Sequence, residues 1–181
     1  MITADKKNKI LEGIEGLVKV NEQVDVMHET PMNANFLIIV DEDEEDIFDC
    51  IEETTTKKGY NLIRVSPSCE EIKNSRYGMT PDNEPVALIP ESDVIDAWNK
   101  PNSILYFENL INLENSVFRA RICNFLNNHL VFDDRQETGI KRLKNIETAV
   151  IIAREPINSS AFNITVNDLK FIERIDLRRK K

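Results

Sequence analysis

The sequence predicts an α/β fold: a mainly parallel, five-stranded sheet with helices on both faces. Two observations carry this expectation. Short, unbroken apolar runs recur along the chain, Phe36-Leu37-Ile38-Ile39-Val40 being the clearest, and a strand buried on both faces shows such a run. These runs alternate with segments of helical periodicity, which is the pattern of a parallel sheet whose crossovers pack above and below it. With 181 residues, 41% of them hydrophobic, the chain can bury the core of one domain of ordinary size.

The elements follow in order. Residues 5–19 place Ile10, Leu11, Ile14, Leu17 and Val18 at helical spacing, and a polar connection to residue 33 sets this helix apart from a core expected over 34–181. The first strand is 36–40. From Asp46 onward Ile47, Cys50, Ile51 and Thr54 share a helical face up to Gly59, a plausible stop, and acidic residues opening the helix suit the positive end of its dipole. Residues 61–65 form a second strand, and 73–84, with Gly78, Pro81 and Asn83, read as loop. Residues 92–99 form a short helix with Ser92 as candidate cap and Val94, Ile95 and Trp98 inward. The third strand is 103–107. Residues 114–130 make the strongest helix, with Val117, Ala120, Ile122, Cys123, Phe125, Leu126 and Leu130 available to its buried face. A hairpin or extended loop over 131–147 turns at 137–139, and the fourth strand, 148–153, ends before Pro156. A short helix over 167–171 and an extended piece over 172–177 complete the pattern.

Charge is distributed unevenly. The net charge is -9, and the window 41–53 (DEDEEDIFDCIEE) holds nine carboxylates and no base, so the rest of the chain is formally neutral. Arg174, Arg178, Arg179, Lys180 and Lys181 make the opposite pole. A net negative charge excludes adhesion of the whole protein to nucleic acid. No apolar run approaches the roughly 18 residues that span a bilayer, and the first residues are polar where a secretory leader would be apolar. Cys50, Cys69 and Cys123, odd in number and widely spaced, indicate neither a disulfide framework nor a zinc knuckle. A cytoplasmic protein is expected.

The order of these pieces resembles the nucleotide-binding core of an AAA+ ATPase, of the MoxR or dynein-related type, over residues 34–178. FLIIV and the helix over 46–58 stand where that family has its first strand, phosphate loop and first helix. KGYNLIRVSPS resembles its second strand, SILYFENLINLENSVFRARICNFL its Walker B strand and following helix, and HLVFDDRQETGIKRLKNIETAVIIAREP its hairpin and sensor-one strand. NDLKFIERIDLRRK resembles the segment with an arginine finger and the last core strand. The resemblance implies a P-loop-type fold, here without room for a lid domain.

The departures from that family bear on the chemistry. An active member needs G-x-x-x-x-G-K-[ST], because glycine amides wrap the phosphates, Lys neutralises them and Ser or Thr binds magnesium. The matching stretch here is Asp41, Glu42, Asp43, Glu44, Glu45 and Asp46, without one Gly or Lys. A carboxylate about 4 Å from a phosphate opposes it by roughly 1 kcal/mol in water and about 4 at an effective dielectric of 20, whereas micromolar binding is worth only about 8 kcal/mol. At the Walker B position Glu108 and Asn109 replace Asp-Glu, leaving an amide that cannot act as a base. At the sensor-one position stands Glu155. The resemblance thus implies a pseudo-ATPase core that uses no cofactor and serves as a protein-interaction or assembly scaffold, of a size that suits a phage or mobile-element accessory factor. Arg174 is the candidate arginine finger for a partner's site in trans. A third reading is an acidic, nucleic-acid-mimicking inhibitor. The partners implied are an active AAA+ ATPase, a basic nucleic-acid-binding protein or further copies of the chain.

Several features carry plainer readings. The acidic window is a solvated loop and helix start, a surface for a basic partner, or, from the spacing of Asp41, Asp43, Glu45, Asp49 and Glu52, a calcium loop. Asp46 sits where that loop needs Gly, and a strand precedes it where a helix is required. Glu108 without a second ligand gives little support to magnesium. His28 and His129 lack metal-motif neighbours, Cys50 and Cys123 fall on buried helix faces, and Trp98 reads as a core anchor.

Overall fold

Nine of the expected segments become the five strands of the sheet and the four described helices, and the most deeply buried strands form where the unbroken apolar runs lie. In the computed structural model, residues 2–27, 33–65, 88–108, 116–137, 139–154 and 172–179 are described. The loop expected over 73–84, the helix over 167–171, Pro156, His28 and Cys69 lie outside them, as do the side chains of Val117 and Ala120. The elements in chain order are α1 (Ala4–Met27), β1 (Asn35–Val40), α2 (Ile47–Thr56), β2 (Asn61–Arg64), α3 (Ser92–Trp98), β3 (Ser103–Glu108), α4 (Ser116–Asn128), β4 (Leu130–Phe132), β5 (Ile140–Arg142), β6 (Ile146–Arg154) and β7 (Ile172–Asp176). Among the described residues no helix is long and apolar enough to cross a membrane.

Five strands form one sheet in the order β2-β3-β6-β1-β7, and every pairing within it is parallel. The α/β class, the five strands and their parallel arrangement match the expectation from sequence. β4 and β5 pair antiparallel as a separate hairpin, so the segment over 131–147 is a hairpin and not an extended loop. Its turn needs Gly139: the residue has φ +70°, and a Cβ there would lie 2.5 Å from the Phe132 ring. Arg135 fastens this turn to α3, donating to Asp133 at 2.8 Å and to Asp96 at 2.9 Å.

Alternation along the strands sorts side chains onto two faces. Phe36, Ile38, Ile104, Tyr106, Val150 and Ile152 pack with Ile10, Ile14, Leu17, Ile47, Cys50 and Ile51 of α1 and α2. Leu37, Ile39, Leu105, Phe107 and Ile151 pack on the other side with Ile95, Trp98, Ile122, Cys123, Phe125 and Leu126 of α3 and α4. Both faces of β1, β3 and β6 are therefore covered, which is why their sequences are continuously apolar. Cys50, Cys123 and Trp98 are core residues, as read from their spacing.

Some local expectations are corrected. α1 runs on to Met27, eight residues past the periodic stretch, because Asn21 anchors it: its side chain accepts from the Ala34 amide at 2.7 Å and donates to the Glu147 carbonyl at 2.7 Å. The buried polar face of α2 is Thr55, not Thr54; the Thr55 hydroxyl satisfies itself on the Ile51 carbonyl at 2.7 Å. The cap of α3 is Glu91 with extended backbone and no side-chain cap bond, so Ser92 is already the first helical residue. Gly59, at φ +84°, ends the turn after α2 as expected of a residue without a Cβ penalty.

Candidate functional site

A parallel sheet points all its carboxyl ends to one edge, and ligands of open α/β sheets sit outside that edge where strand order reverses. Here the reversal falls at β1: the chain leaves it for β2 at the far side, works back through β3 and β6, and finally adds β7 on the opposite flank of β1. The carboxyl ends of β2, β3 and β6 carry Arg64, Glu108 and Arg154, and β1 runs into the acidic connection 41–46.

Strand parity puts Arg64, Glu108 and Arg154 on the α1/α2 side, where they meet. Glu108 Oε2 accepts from Arg64 Nη2 at 2.8 Å, and Oε1 accepts from Arg154 Nη2 at 2.6 Å and Nε at 3.2 Å. The Glu108 side chain is only 8% exposed. Burial pushes its carboxyl up, but the two guanidiniums outweigh that and hold it below the ordinary range. Tyr106, two residues back on the same face, has its phenol pushed up by burial and then by the Glu108 charge. Phe48, from the first turn of α2, closes the group: its ring stands edge-on to Tyr106 with centroids 5.0 Å apart, and the Arg64 guanidinium lies 4.9 Å from its centre.

Arg154 reaches further. Its Nη1 donates to the Glu44 carbonyl at 2.6 Å, with the Glu42 carbonyl at 3.5 Å. The connection after β1 thus turns backbone oxygens toward a cation. A phosphate-binding loop has the opposite polarity, with amides turned toward an anion. Toward Arg154 the connection turns carbonyls, and both oxygens of Glu108 are taken by guanidiniums.

The two charged poles of the sequence are joined in space. Arg179 donates from its backbone amide and Nε to Asp41 Oδ2 at 3.1 and 2.9 Å, and from Nη2 to Asp43 at 2.5 and 2.7 Å. Those bonds lower both carboxyls from their usual values. Arg178 pairs with Asp176 at 2.5 Å, and Lys6 of α1 donates to the Leu177 carbonyl. Asp41 and Asp43, the first two positions of the calcium spacing, are thereby drawn to an arginine, and among the described residues no three His, Cys, Asp or Glu side chains converge as metal ligands.

Of the residues singled out from sequence, Glu108 and the acidic connection come together through Arg154. Glu42, Asp43, Glu45 and Asp46 are exposed, Asp41 and Glu44 half-buried. Arg174 is not part of this group: it lies within β7 in register with Leu37, exposed, on the strand parity of Ile172, which packs toward the α3/α4 side. Asn109 and Glu155 lie outside the described residues. Sequence reading missed Arg64 and Arg154. The signal was present in both cases, a single arginine closing an apolar strand run (NLIR, AVIIAR).

Elsewhere, a crevice of about 200 Å³ opens at the opposite, amino edge of the sheet beside Asn21, Asn33, His129, Arg142 and Glu147. His129 there is buried, and burial followed by the Arg142 charge lowers its pKa to about 3, so it is neutral. Another crevice, of about 250 Å³, lies beside Lys7, Asp46, Asp49, Cys50 and Glu53. The chain matches no family model, and a search of curated proteins likewise returns no match.

Proposed function

We propose that this chain is a non-catalytic, AAA+-like pseudo-ATPase that works as a protein-interaction or assembly scaffold. The observation that carries the reading is the Arg154 guanidinium, seated between the Glu108 carboxylate and the Glu44 carbonyl where a nucleotide-binding relative would present amides to phosphate. The sheet order is consistent with a P-loop-type core, and Glu108 ends the third strand of that sheet as the family's Walker B carboxylate would. Its oxygens are neutralised by protein cations, so it neither orders magnesium nor activates water.

What the edge offers instead is a set of outward carboxylates, Glu42, Asp43, Glu45 and Asp46, suited to a basic protein partner. The seating of Arg179 on Asp41 and Asp43 illustrates the side-chain chemistry such a partner would bring. The test is calorimetric titration of the purified chain with ATP and magnesium. No saturable heat is expected; saturable binding at micromolar concentration, or hydrolysis by the chain alone, overturns the reading.

A further inference from the structure

We infer that Arg154 is a built-in cation that locks the connection between β1 and α2, so that its acidic surface is set without any bound ligand. The inference rests on the reading of the site as one that does not take nucleotide, and concerns what replaces the nucleotide as organiser.

Among the described residues the connection makes few backbone bonds of its own. Within residues 41–46 the described backbone bonds are Glu44 N–H to the Asp41 carbonyl and Glu45 N–H to the Asp43 carbonyl, both 3.1 Å. Its side chains are all carboxylates, which repel one another. Arg179 grips Asp41 and Asp43 from outside, but with its own side chain 69% exposed, and such pairs are screened by water and salt. Arg154 is different in position and in valence. Its side chain is 22% exposed, it projects from the end of β6, a strand paired on both sides, and its planar fork has enough donors to hold Glu108 and the Glu44 carbonyl at once. A lysine ammonium is a point charge and lacks that reach in two directions. Glu108 in turn is held by Arg64, whose guanidinium lies against Phe48 of α2. The chain of contacts thus runs from β6 to the connection, and through β3 and β2 to the first turn of the helix that the connection enters.

The test is amide hydrogen exchange on the full chain, read at residues 41–48, with the β4–β5 hairpin as internal reference. In the wild-type protein, protection of 41–48 should be the same with or without ATP, magnesium or calcium. In Arg154→Lys, exchange there should accelerate about tenfold or more through local opening, while the hairpin is unchanged. Arg154→Ala should show the larger effect; should it fail to fold, Arg154→Lys and the wild-type comparison decide. Wild-type exchange at 41–48 in Arg154→Lys overturns the lock. Slowing of the wild-type connection by a cation alone also overturns it, whereas slowing by ATP with calorimetric binding sinks the functional reading as well. A lock that fails with no ATP binding leaves that reading standing.

Discussion

Glu108 closes an otherwise apolar strand, and its carboxylate is tolerated there because each oxygen receives a guanidinium. Removing a buried ion from water costs several kcal/mol, and only good geometry with satisfied lone pairs offsets it. Glu108→Gln keeps the shape but leaves Arg64 and Arg154 facing each other without the charge between them. It should destabilise the protein by about 1.5–3 kcal/mol, the range for hydrogen bonds to charged groups, measured by urea unfolding at neutral pH. The pH dependence has a defined sign. The folded carboxyl titrates below its ordinary value, so its contribution is complete above the unfolded pKa of about 4.3 and is lost as pH falls through the folded one. The difference between wild type and Glu108→Gln should therefore shrink on acidification below about pH 4. A gap that stays constant there would show that the charge on Glu108 is not what the two arginines stabilise.

At the scale of elements, apolar run and tertiary burial agree in β1, β3 and β6, and the irregular pieces are held by specific polar groups. The β4–β5 hairpin is the clearest case. Its two short strands bring little propensity of their own, so the turn geometry and the Asp133–Arg135–Asp96 ties set its place against α3. Gly139 is the position with least freedom: left-handed backbone, and a phenyl ring where a Cβ would stand. Gly139→Ala should cost about 1–2 kcal/mol for the backbone alone, with displacement of Phe132 adding to it. Thermal unfolding would record a lower midpoint, and an unchanged midpoint would mean that the turn relaxes freely. The same sequence cues that located the hairpin, polar composition and a Glu-Thr-Gly turn, could not tell it from a loop, because register depends on what the two strands pack against.

For the molecule as a whole, α1 is the element whose role the sequence understated. It reads as a helix before the core, yet Ile10 and Ile14 are fully buried against strand residues Phe36 and Ile38, and Gly13 lets the Phe36 ring approach so closely that a Cβ would lie 2.5 Å away. Helix and sheet therefore share one core. Ile14→Ala should destabilise the protein by about 2–5 kcal/mol, as for other large-to-small changes in packed interiors, and unfolding should remain a single transition by circular dichroism and by Trp98 fluorescence. Two separated transitions would make α1 an appended unit. Charge also acts at this scale: Arg179 lies 136 to 138 positions from the carboxylates it bonds in the acidic connection, and the sheet brings them together by placing β7 beside β1.

Sequence alone determined the α/β class and the approximate place of the five sheet strands and the four described helices, because apolar periodicity is a local property and burial on two faces leaves no polar gaps in a strand. It also located the run of carboxylates in the connection after β1, from which repulsion of phosphate is expected, since like charges repel in any conformation. Tertiary structure decided the strand order, the union of α1 with the core and the partners of Glu108. Arg64 and Arg154 are 44 and 46 residues from Glu108; nothing in their own neighbourhoods says which carboxylate they serve. That is settled only when parallel pairing brings the strand ends to one edge, where unlike charges must meet to leave water together.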